Sequence, residues 1–231
     1  MDFPKLTLAF ACAVAGYLSW RAFTPPNPNP QSPYVHDRMG KLFGTPMLVI
    51  RKVLTAYILA HHLVLILALP DTAQLMCPNS ENLNYATLFS WSPYIITCLI
   101  AVSLIGAPLR LAAFGRLGKN FTFRLQTPST LVTTGMYKYL QHPSYTGQAL
   151  VIGGNLAAFW RWDGALGCWI SPGMRAALSG WGKVVVVIFS VLAALGLWRR
   201  VLDEERMLKD KFGDDWVRWN RSTKRFVPAL F

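Results

Sequence analysis

The sequence predicts an all-α, polytopic integral membrane protein, and its composition carries this prediction. Only 15% of the 231 residues are charged and 53% are hydrophobic, with a mean hydropathy of +0.31, whereas a typical soluble domain is about 25% charged. The charges are also unevenly spread, because long stretches contain no Lys, Arg, Asp or Glu. We interpret residues 1–231 as one membrane domain, with membrane spans in 1–114 and a more polar second part in 115–231.

Five charge-free stretches are the candidate transmembrane helices: Leu6–Trp20, Val53–Pro70, Asn82–Leu109, Tyr139–Trp160 and Val184–Trp198. A span needs about 20 apolar residues, so the middle three are long enough and the other two must extend into their flanks. The first stretch is interpreted as a span or signal anchor. The Pro-rich run Thr24–Pro30 predicts a stiff, extended connector. Leu166–Gly180 contains Pro172 and Gly173 and is a candidate re-entrant segment.

Basic residues orient these spans. Three connections are basic: one contains Arg38, Lys41, Arg51 and Lys52, the next contains Arg110, Arg116, Lys119, Arg124 and Lys138, and the third follows Trp198. The connection with Asp71 and Glu81 contains no base. The excess of bases on the cytosolic side therefore predicts a lumenal N-terminus and a cytosolic C-terminus. The net charge of +12 follows from this topology and from anionic lipid headgroups, so no nucleic-acid partner is predicted.

The cysteines and histidines indicate no metal site, because no Cys/His spacing typical of metal ligands occurs. Cys77 and Cys168 fall in the two lumenal loops of this topology. Both a disulfide between them and two free thiols are compatible with that placement.

Two adjacent carboxylates near the C-terminus, Glu204 and Glu205, fall on or beside an apolar helical stripe. With about 100° per residue, Glu205 lies about 40° from the centre of the stripe and Glu204 lies on its edge. The stripe consists of Val201, Leu208, Phe212 and Trp219. Charged side chains are rarely buried without a partner, so the pair predicts a bound ligand. The alternative is a helix that bends at Gly213, with the acids paired to Arg200 and Lys209 at the surface.

The connection 116–145 is too polar for lipid and too aromatic for a plain linker. Gly135 allows a tight turn, and Pro143 suits the first turn of the fourth span, directly after His142. The free N–H groups at such a helix start carry partial positive charge and attract a carboxylate. The alternative is a histidine that only caps the helix and bonds a carbonyl group.

The second part contains two blocks of distinctive residues. The first block is Leu131-Val-Thr-Thr-Gly-Met-Tyr137 followed by His142-Pro-Ser-Tyr-Thr-Gly147. The second block consists of Arg200, Glu204-Glu205, Leu208, Phe212-Gly213, Trp216 and Val227-Pro228. These blocks resemble the isoprenylcysteine carboxyl methyltransferase family. The resemblance extends from Gly115 to the end of the chain, and the Pro-rich connector also resembles fungal members of the family.

The resemblance implies a multi-pass enzyme of the endoplasmic reticulum membrane that uses S-adenosylmethionine. Its substrate would be the C-terminal carboxylate of a farnesyl- or geranylgeranyl-cysteine in proteins or peptides. The residues expected to bind the cofactor come from both blocks: Ser129, Thr130, Leu131, Val132, Tyr137, His142, Pro143, Ser144, Tyr145, Glu204 and Glu205. The prenyl tail would enter laterally from the lipid, between the spans.

Arg200 is the residue expected to bind the substrate carboxylate. It lies one turn before Glu204, about 40° away on the helical wheel, and a guanidinium group can bind a carboxylate with a bidentate fork. An α-carboxylate has a pKa of about 3.5 and is ionised at neutral pH. Methyl transfer to it therefore needs alignment and exclusion of water rather than a general base.

The chain departs from the family pattern at three positions. Gln141 precedes His-Pro where Arg is usual, Ser129 stands where His is usual, and Arg124 stands where Gln is common. Three other functions stay open. Membrane sterol or isoprenoid reductases that use NADPH share the His-Pro-x-Tyr helix start, and phospholipid N-methyltransferases share the Glu-Glu pair. A non-catalytic membrane scaffold of the same fold is the third, and the block from Leu131 to Tyr137 favours the methyltransferase.

Overall fold

A computed structural model describes residues 2–29, 45–68, 75–178 and 181–228. Helices dominate these ranges and no strand occurs in them, which confirms the all-α class predicted from the sequence. The basic residues Arg38 and Lys41, the acidic residue Asp71 and the last proline of the connector, Pro30, lie outside the described residues.

The described helices follow the charge-free stretches of the sequence. In chain order they are α1 (Phe3–Ala22), α2 (Thr45–Leu67), α3 (Tyr85–Leu88), α4 (Pro93–Leu99), α5 (Ala107–Leu117), α6 (Pro143–Phe159), α7 (Pro172–Leu178), α8 (Trp181–Phe212) and α9 (Asp214–Ser222). A π-helical segment, Ile100–Gly106, joins α4 to α5. Together they form one long helix, which begins eleven residues later than the predicted stretch and continues beyond its end. It begins at Pro93 because Ser92 caps it by accepting a hydrogen bond from Ile95 N at 3.1 Å.

Two of these helical segments, Leu48–Leu67 and Pro93–Asn120, are long and apolar enough to cross a membrane by length and composition. Large apolar side chains also point outward from the part of α8 before Trp198: Val184, Val185, Val187, Ile188, Val191, Leu192 and Leu195 are all exposed. Such an apolar exterior is the expected surface of a helix in lipid. The predicted number of spans, five, stays a prediction.

The helix pair α5–α6 forms the centre of the bundle, and glycine allows its close approach. A Cβ atom at Gly147 of α6 would lie 2.6 Å from the carbonyl oxygen of Gly106 and 2.8 Å from the backbone nitrogen of Arg110. A Cβ atom at Gly154 would lie 2.5 Å from Val102. The backbones of α6 and of the long helix α4–α5 therefore touch at positions where no other residue fits.

One end of the bundle is tied by a disulfide between Cys77 and Cys168. Of the two arrangements that the sequence left open, the structure contains the cross-link. Asn82 supports it by donating to the carbonyl oxygens of Gly167 at 3.0 Å and Ile170 at 2.9 Å. The candidate re-entrant segment forms a 3-10 turn and the short helix α7 up to Leu178, and its last two residues lie outside the described ranges.

At the opposite end, α8 extends well beyond its charge-free stretch and ends at Phe212. Gly213 follows with a positive φ of 51°, and α9 begins at the next residue. This is the bend that the sequence placed at Gly213. It turns α9 back onto the loop between α5 and α6, where Trp216 and Trp219 are buried beside Tyr137.

Candidate functional site

A polar pocket lies where the end of α5, the loop 118–142, the start of α6 and the second half of α8 meet. Its volume is about 100 Å³. The loop can fold over the pocket because Gly118 and Gly135 adopt positive φ angles of 53° and 62°, a backbone region that favours glycine. The Trp219 indole fastens the loop by donating to the carbonyl oxygen of Tyr137 at 2.7 Å.

Nine of the twelve site residues predicted from the sequence line this pocket: Thr130, Leu131, Val132, Tyr137, His142, Ser144, Tyr145, Arg200 and Glu204. The remaining three are not among its lining residues in the described part of the chain. Ser129 donates its backbone N–H to Asn120 Oδ1 at 3.1 Å. Pro143 is fully buried in the first turn of α6. Glu205 is held by other groups, as described below.

Glu204 is the carboxylate that reaches the pocket. The Tyr145 hydroxyl donates to Glu204 Oε2 at 2.7 Å, and Glu204 Oε1 lies 3.9 Å from His142 Nδ1. The latter distance is too long for a hydrogen bond. With a quarter of its side chain exposed (25%), Glu204 therefore has one oxygen that still accepts a hydrogen bond from a ligand.

Glu205 has a different role, although the sequence grouped it with Glu204. Arg225 donates to both of its oxygens, at 2.7 and 2.8 Å, and His142 Nε2 lies 3.3 Å from Glu205 Oε1. Burial raises the pKa of Glu205, but the hydrogen bonds from His142 and Arg225 outweigh it and lower the pKa to about 2. The alternative pairing with Lys209 and Arg200 at the surface is replaced by this buried ion pair.

Gln141 stands where the family usually has Arg, and it binds the C-terminal segment rather than an anion. Its side-chain amide donates to Thr223 Oγ1 at 2.9 Å and to the carbonyl oxygen of Asn220 at 3.1 Å. Its backbone N–H donates to Lys224 O at 2.7 Å, and that of His142 donates to Arg225 O at 2.9 Å. We call residues 223–226 the C-terminal clasp, since hydrogen bonds join them to the residues at the start of α6.

The sequence offered two interpretations of His142: a helix start that attracts a carboxylate, and a histidine that only caps the helix. The histidine side chain makes no cap hydrogen bond at the start of α6, so the capping alternative is wrong. Its ring instead lies between the two carboxylates, near Glu204 and within reach of Glu205. A guanidinium group does reach one of these carboxylates, since Arg225 of the clasp binds Glu205.

Arg200 is buried at 3% exposure and lines the pocket. Its Nε lies 3.4 Å from the Tyr145 hydroxyl, and its terminal nitrogen donates to the carbonyl oxygen of Phe123. Tyr137 lines the same wall, and burial followed by the charge of Glu204 raises the pKa of its phenol. Tyr137 therefore stays a hydrogen-bond donor at neutral pH.

A second, mainly apolar cavity of about 640 Å³ lies between α1, α2 and α6. Its lining includes Tyr17, Trp20, Leu54, Leu59, Ile152, Leu156 and Trp160. Three residues line both cavities: Arg110, Phe123 and Gln148. The apolar cavity and the polar pocket therefore meet at these three side chains.

Sequence reasoning missed the residues at this junction. Arg110 is buried at 3% exposure; it was counted only as a loop base because it directly follows a charge-free stretch. The available signal is that the helix can continue past Arg110 to Leu117, which places this base inside a helix and not in a loop. Phe123 and Gln148 carry no such signal, since an aromatic residue in a loop and an amide on a helix are common.

The fold and the site define a helical membrane protein in which a pocket with a carboxylate shares a wall with a mainly apolar cavity. Residues 98–165 match the model of the isoprenylcysteine carboxyl methyltransferase (ICMT) family. The matched segment contains the junction residues, the loop and α6. It supports the family resemblance in the first block, from Leu131 to Gly147, while the second block, from Arg200 to Pro228, lies outside the match. No curated protein and no solved structure gives a significant match to the chain.

Proposed function

We propose that this protein transfers a methyl group from S-adenosylmethionine to the C-terminal carboxylate of a prenylated cysteine in proteins or peptides. The observation that carries the proposal is the junction: a pocket with a carboxylate and an apolar cavity meet at the buried guanidinium of Arg110. A lipid-tailed acid and a cationic cofactor are the two ligands that such a pair of cavities suits.

The polar pocket fits the proposed cofactor in its chemistry. Glu204 Oε1 is free to accept from ribose hydroxyls or to lie near a sulfonium, and Leu131, Val132 and Trp219 offer apolar surface to a base. The Gln141 Oε1 atom is buried without a hydrogen-bond partner in the described residues and belongs to a lining residue. Small-molecule sites usually exceed about 300 Å³, so we expect the loop 121–134 to move outward on binding.

The apolar cavity suits a farnesyl or geranylgeranyl tail. Its volume of about 640 Å³ lies within the roughly 300–1,000 Å³ of typical ligand sites. Its walls come from α1, α2 and α6, whose outer faces are apolar, so a tail dissolved in the bilayer would enter from the side. The tail then places the cysteine carboxylate at the junction, beside the polar pocket.

The proposed methyl transfer requires the protein mainly to position the carboxylate and the cofactor. When bound, S-adenosylmethionine supplies an electrophilic methyl group: a carboxylate oxygen forms the new O–C bond, and the S–C bond breaks with its electron pair staying on sulfur. No proton is transferred, so no general base is required. Arg200 orients the carboxylate, Glu204 and the loop residues hold the cofactor, and the apolar walls exclude competing water.

The buried arginines favour this acceptor over that of the phospholipid N-methyltransferases. An amine acceptor is cationic before it loses its proton, and placing it beside Arg110 and Arg200 would bring like charges together in surroundings that exclude water. A sterol carries no anionic group that would pair with the buried guanidinium at the junction, and a non-catalytic role does not require such a group there. Binding of NADPH in place of S-adenosylmethionine would nevertheless identify a reductase.

We also propose the orientation predicted from the basic loops, with the polar pocket on the cytosolic side of the endoplasmic reticulum membrane. The Cys77–Cys168 disulfide supports it, because it lies at the bundle end away from the pocket. Disulfides persist in oxidising compartments such as the endoplasmic reticulum lumen.

Arg200→Lys tests the proposed reaction. The substitution keeps the charge but loses the planar fork, so turnover of N-acetyl-S-farnesylcysteine at saturating S-adenosylmethionine should fall by about tenfold or more, as expected for the loss of roughly 1.5–3 kcal/mol. Cofactor affinity should change little. The matched control is Arg199→Lys, which alters the neighbouring, exposed arginine and should leave turnover intact.

Turnover is measured with the purified protein in nanodiscs, using methyl-labelled S-adenosylmethionine and base-labile ester formation. Loss of cofactor binding with substrate binding spared in Arg200→Lys would reverse the roles of the two binding residues. No labelled ester from the wild-type protein with either the farnesyl or the geranylgeranyl substrate would refute the proposed function.

A further inference from the structure

Arg110 combines burial, charge and position in a way that its structural contacts do not explain. Its Nε donates to the carbonyl oxygen of Ala22 at 2.7 Å, and its Nη1 donates to the carbonyl and hydroxyl oxygens of Ser144 at 3.1 and 2.9 Å. These bonds fix the guanidinium at the end of α1 and the start of α6. No carboxylate lies within salt-bridge distance of it in the described part of the chain.

An uncompensated buried charge is costly, so its presence calls for an anionic partner. A guanidinium group has five N–H donors, and those on Nη2 have no acceptor among the described residues. The side chain borders both the polar pocket and the apolar cavity. These donors therefore border the space where the two cavities meet, which an acceptor on a ligand can reach.

The aromatic surroundings hold the charge without neutralising it. The Arg110 guanidinium carbon lies 4.9 Å from the ring centre of Phe114 and 5.3 Å from that of Phe123. Arg200 donates to the backbone carbonyl oxygen of the same Phe123. The two arginines are also bonded to neighbouring residues of α6, Ser144 and Tyr145.

We propose that Arg110 selects the substrate by its charge, by binding the free carboxylate of the prenylcysteine from the cavity side while Arg200 faces it from the cofactor side. This inference rests on the proposed function for the identity of the tail. It adds a second guanidinium group to the substrate site. A consequence is that the methyl ester product, which is neutral, no longer pairs with the charge of Arg110, and this favours release of the product into the lipid.

Equilibrium binding without S-adenosylmethionine tests the inference independently of turnover. The two probes are N-acetyl-S-farnesylcysteine and its neutral carboxamide, which share the tail and differ in charge. The wild-type protein should bind the acid about tenfold or more tightly than the amide, because a hydrogen bond to a charged group contributes roughly 1.5–3 kcal/mol. In Arg110→Gln the preference for the acid should disappear, while the amide binds as before.

The matched control is Arg116→Gln, which removes an exposed charge from the same helix and lines neither cavity; its acid preference should be unchanged. Thermal unfolding reports whether each variant folds. If Arg110→Gln does not fold, Arg110→Lys decides, since it keeps the charge but loses the planar fork and should reduce the preference several-fold.

The outcomes separate this inference from the proposed function. Equal binding of acid and amide by the wild-type protein, an acid preference that survives in folded Arg110→Gln, or an undiminished acid preference in Arg110→Lys overturns the role of Arg110 even if methyl transfer is observed. A preference that depends on Arg110, in a protein that forms no methyl ester, supports the carboxylate site and refutes the methyltransferase.

Discussion

Glu204 offers the most direct test of the cofactor site, because one of its oxygens is already used and the other is not. The Tyr145 hydroxyl occupies Oε2 at 2.7 Å, whereas Oε1 lies 3.9 Å from His142 Nδ1 and makes no hydrogen bond to it. We therefore consider Glu204→Gln, which preserves the shape of the side chain and removes its charge.

The expected magnitude follows from that geometry. The amide can still accept the hydrogen bond from Tyr145 through its oxygen, but the freed position is then occupied by an NH₂ donor. If Glu204 binds the cofactor as proposed, the variant loses one charge-assisted hydrogen bond to it, and such a bond contributes roughly 1.5–3 kcal/mol. Since 1.4 kcal/mol corresponds to a factor of about ten, affinity for S-adenosylmethionine should fall by about ten- to a hundredfold.

Isothermal titration of the purified protein with S-adenosylmethionine measures the effect. Tyr145→Phe is the companion variant, because it removes the bond to Oε2 and leaves the charge of Glu204 in place; it should weaken binding much less. Lys209→Gln, on an exposed position of the same helix, controls for altered charge near the pocket. Unchanged affinity in a folded Glu204→Gln protein would show that Glu204 does not contact the cofactor.

Three further predictions concern stability. The pKa of Glu205 is about 2 in the folded protein, compared with an ordinary 4.5. Its ion pair therefore stabilises the folded state fully above about pH 4.5, and this stabilisation is lost as the pH falls toward 2. The melting temperature of Glu205→Gln should be less sensitive to acid than that of the wild-type protein, and equal sensitivity would contradict this. Reduction, or Cys168→Ser, should remove the bond to Cys77 and cost roughly 2–4 kcal/mol, seen as a lower melting temperature; an unaffected melting temperature would mean that the bond does not form. Gly147→Ala places a methyl group 2.6 Å from backbone oxygen of the adjoining helix and should cost roughly 1–3 kcal/mol, whereas Gly153→Ala, with open space, should be tolerated; equal melting of the two would refute the close packing.

Much of the site could be predicted because its residues lie in short local patterns. The helix start at His142 and Pro143 follows from backbone rules, and the positions of Glu204 and Glu205 relative to an apolar stripe follow from helical periodicity. The stripe correctly indicated that Glu205 is the more buried of the two, at 7% exposure.

The partners of these residues could not be predicted in the same way. Glu205 is bound by Arg225, and Gln141 by Thr223, and the latter contact joins residues 82 positions apart. Such contacts depend on how α9 returns after Gly213, which periodicity does not determine. For this reason the sequence predicts that Glu205 binds a ligand. It shows Gln141 only as the replacement of a usual Arg and does not indicate that its amide binds the C-terminal clasp.

The C-terminal clasp has a consequence for how the protein is made. Residues 139–146 and 223–226 are joined by backbone hydrogen bonds and by the Thr146 hydroxyl, which donates to Phe226 O at 2.8 Å. During synthesis the first group leaves the ribosome some 80 residues before the second, at about 5–20 residues per second. For several seconds, then, a chain whose spans are already being inserted lacks these contacts, and a chain that ends before Thr223 lacks the backbone partners of Gln141 and His142.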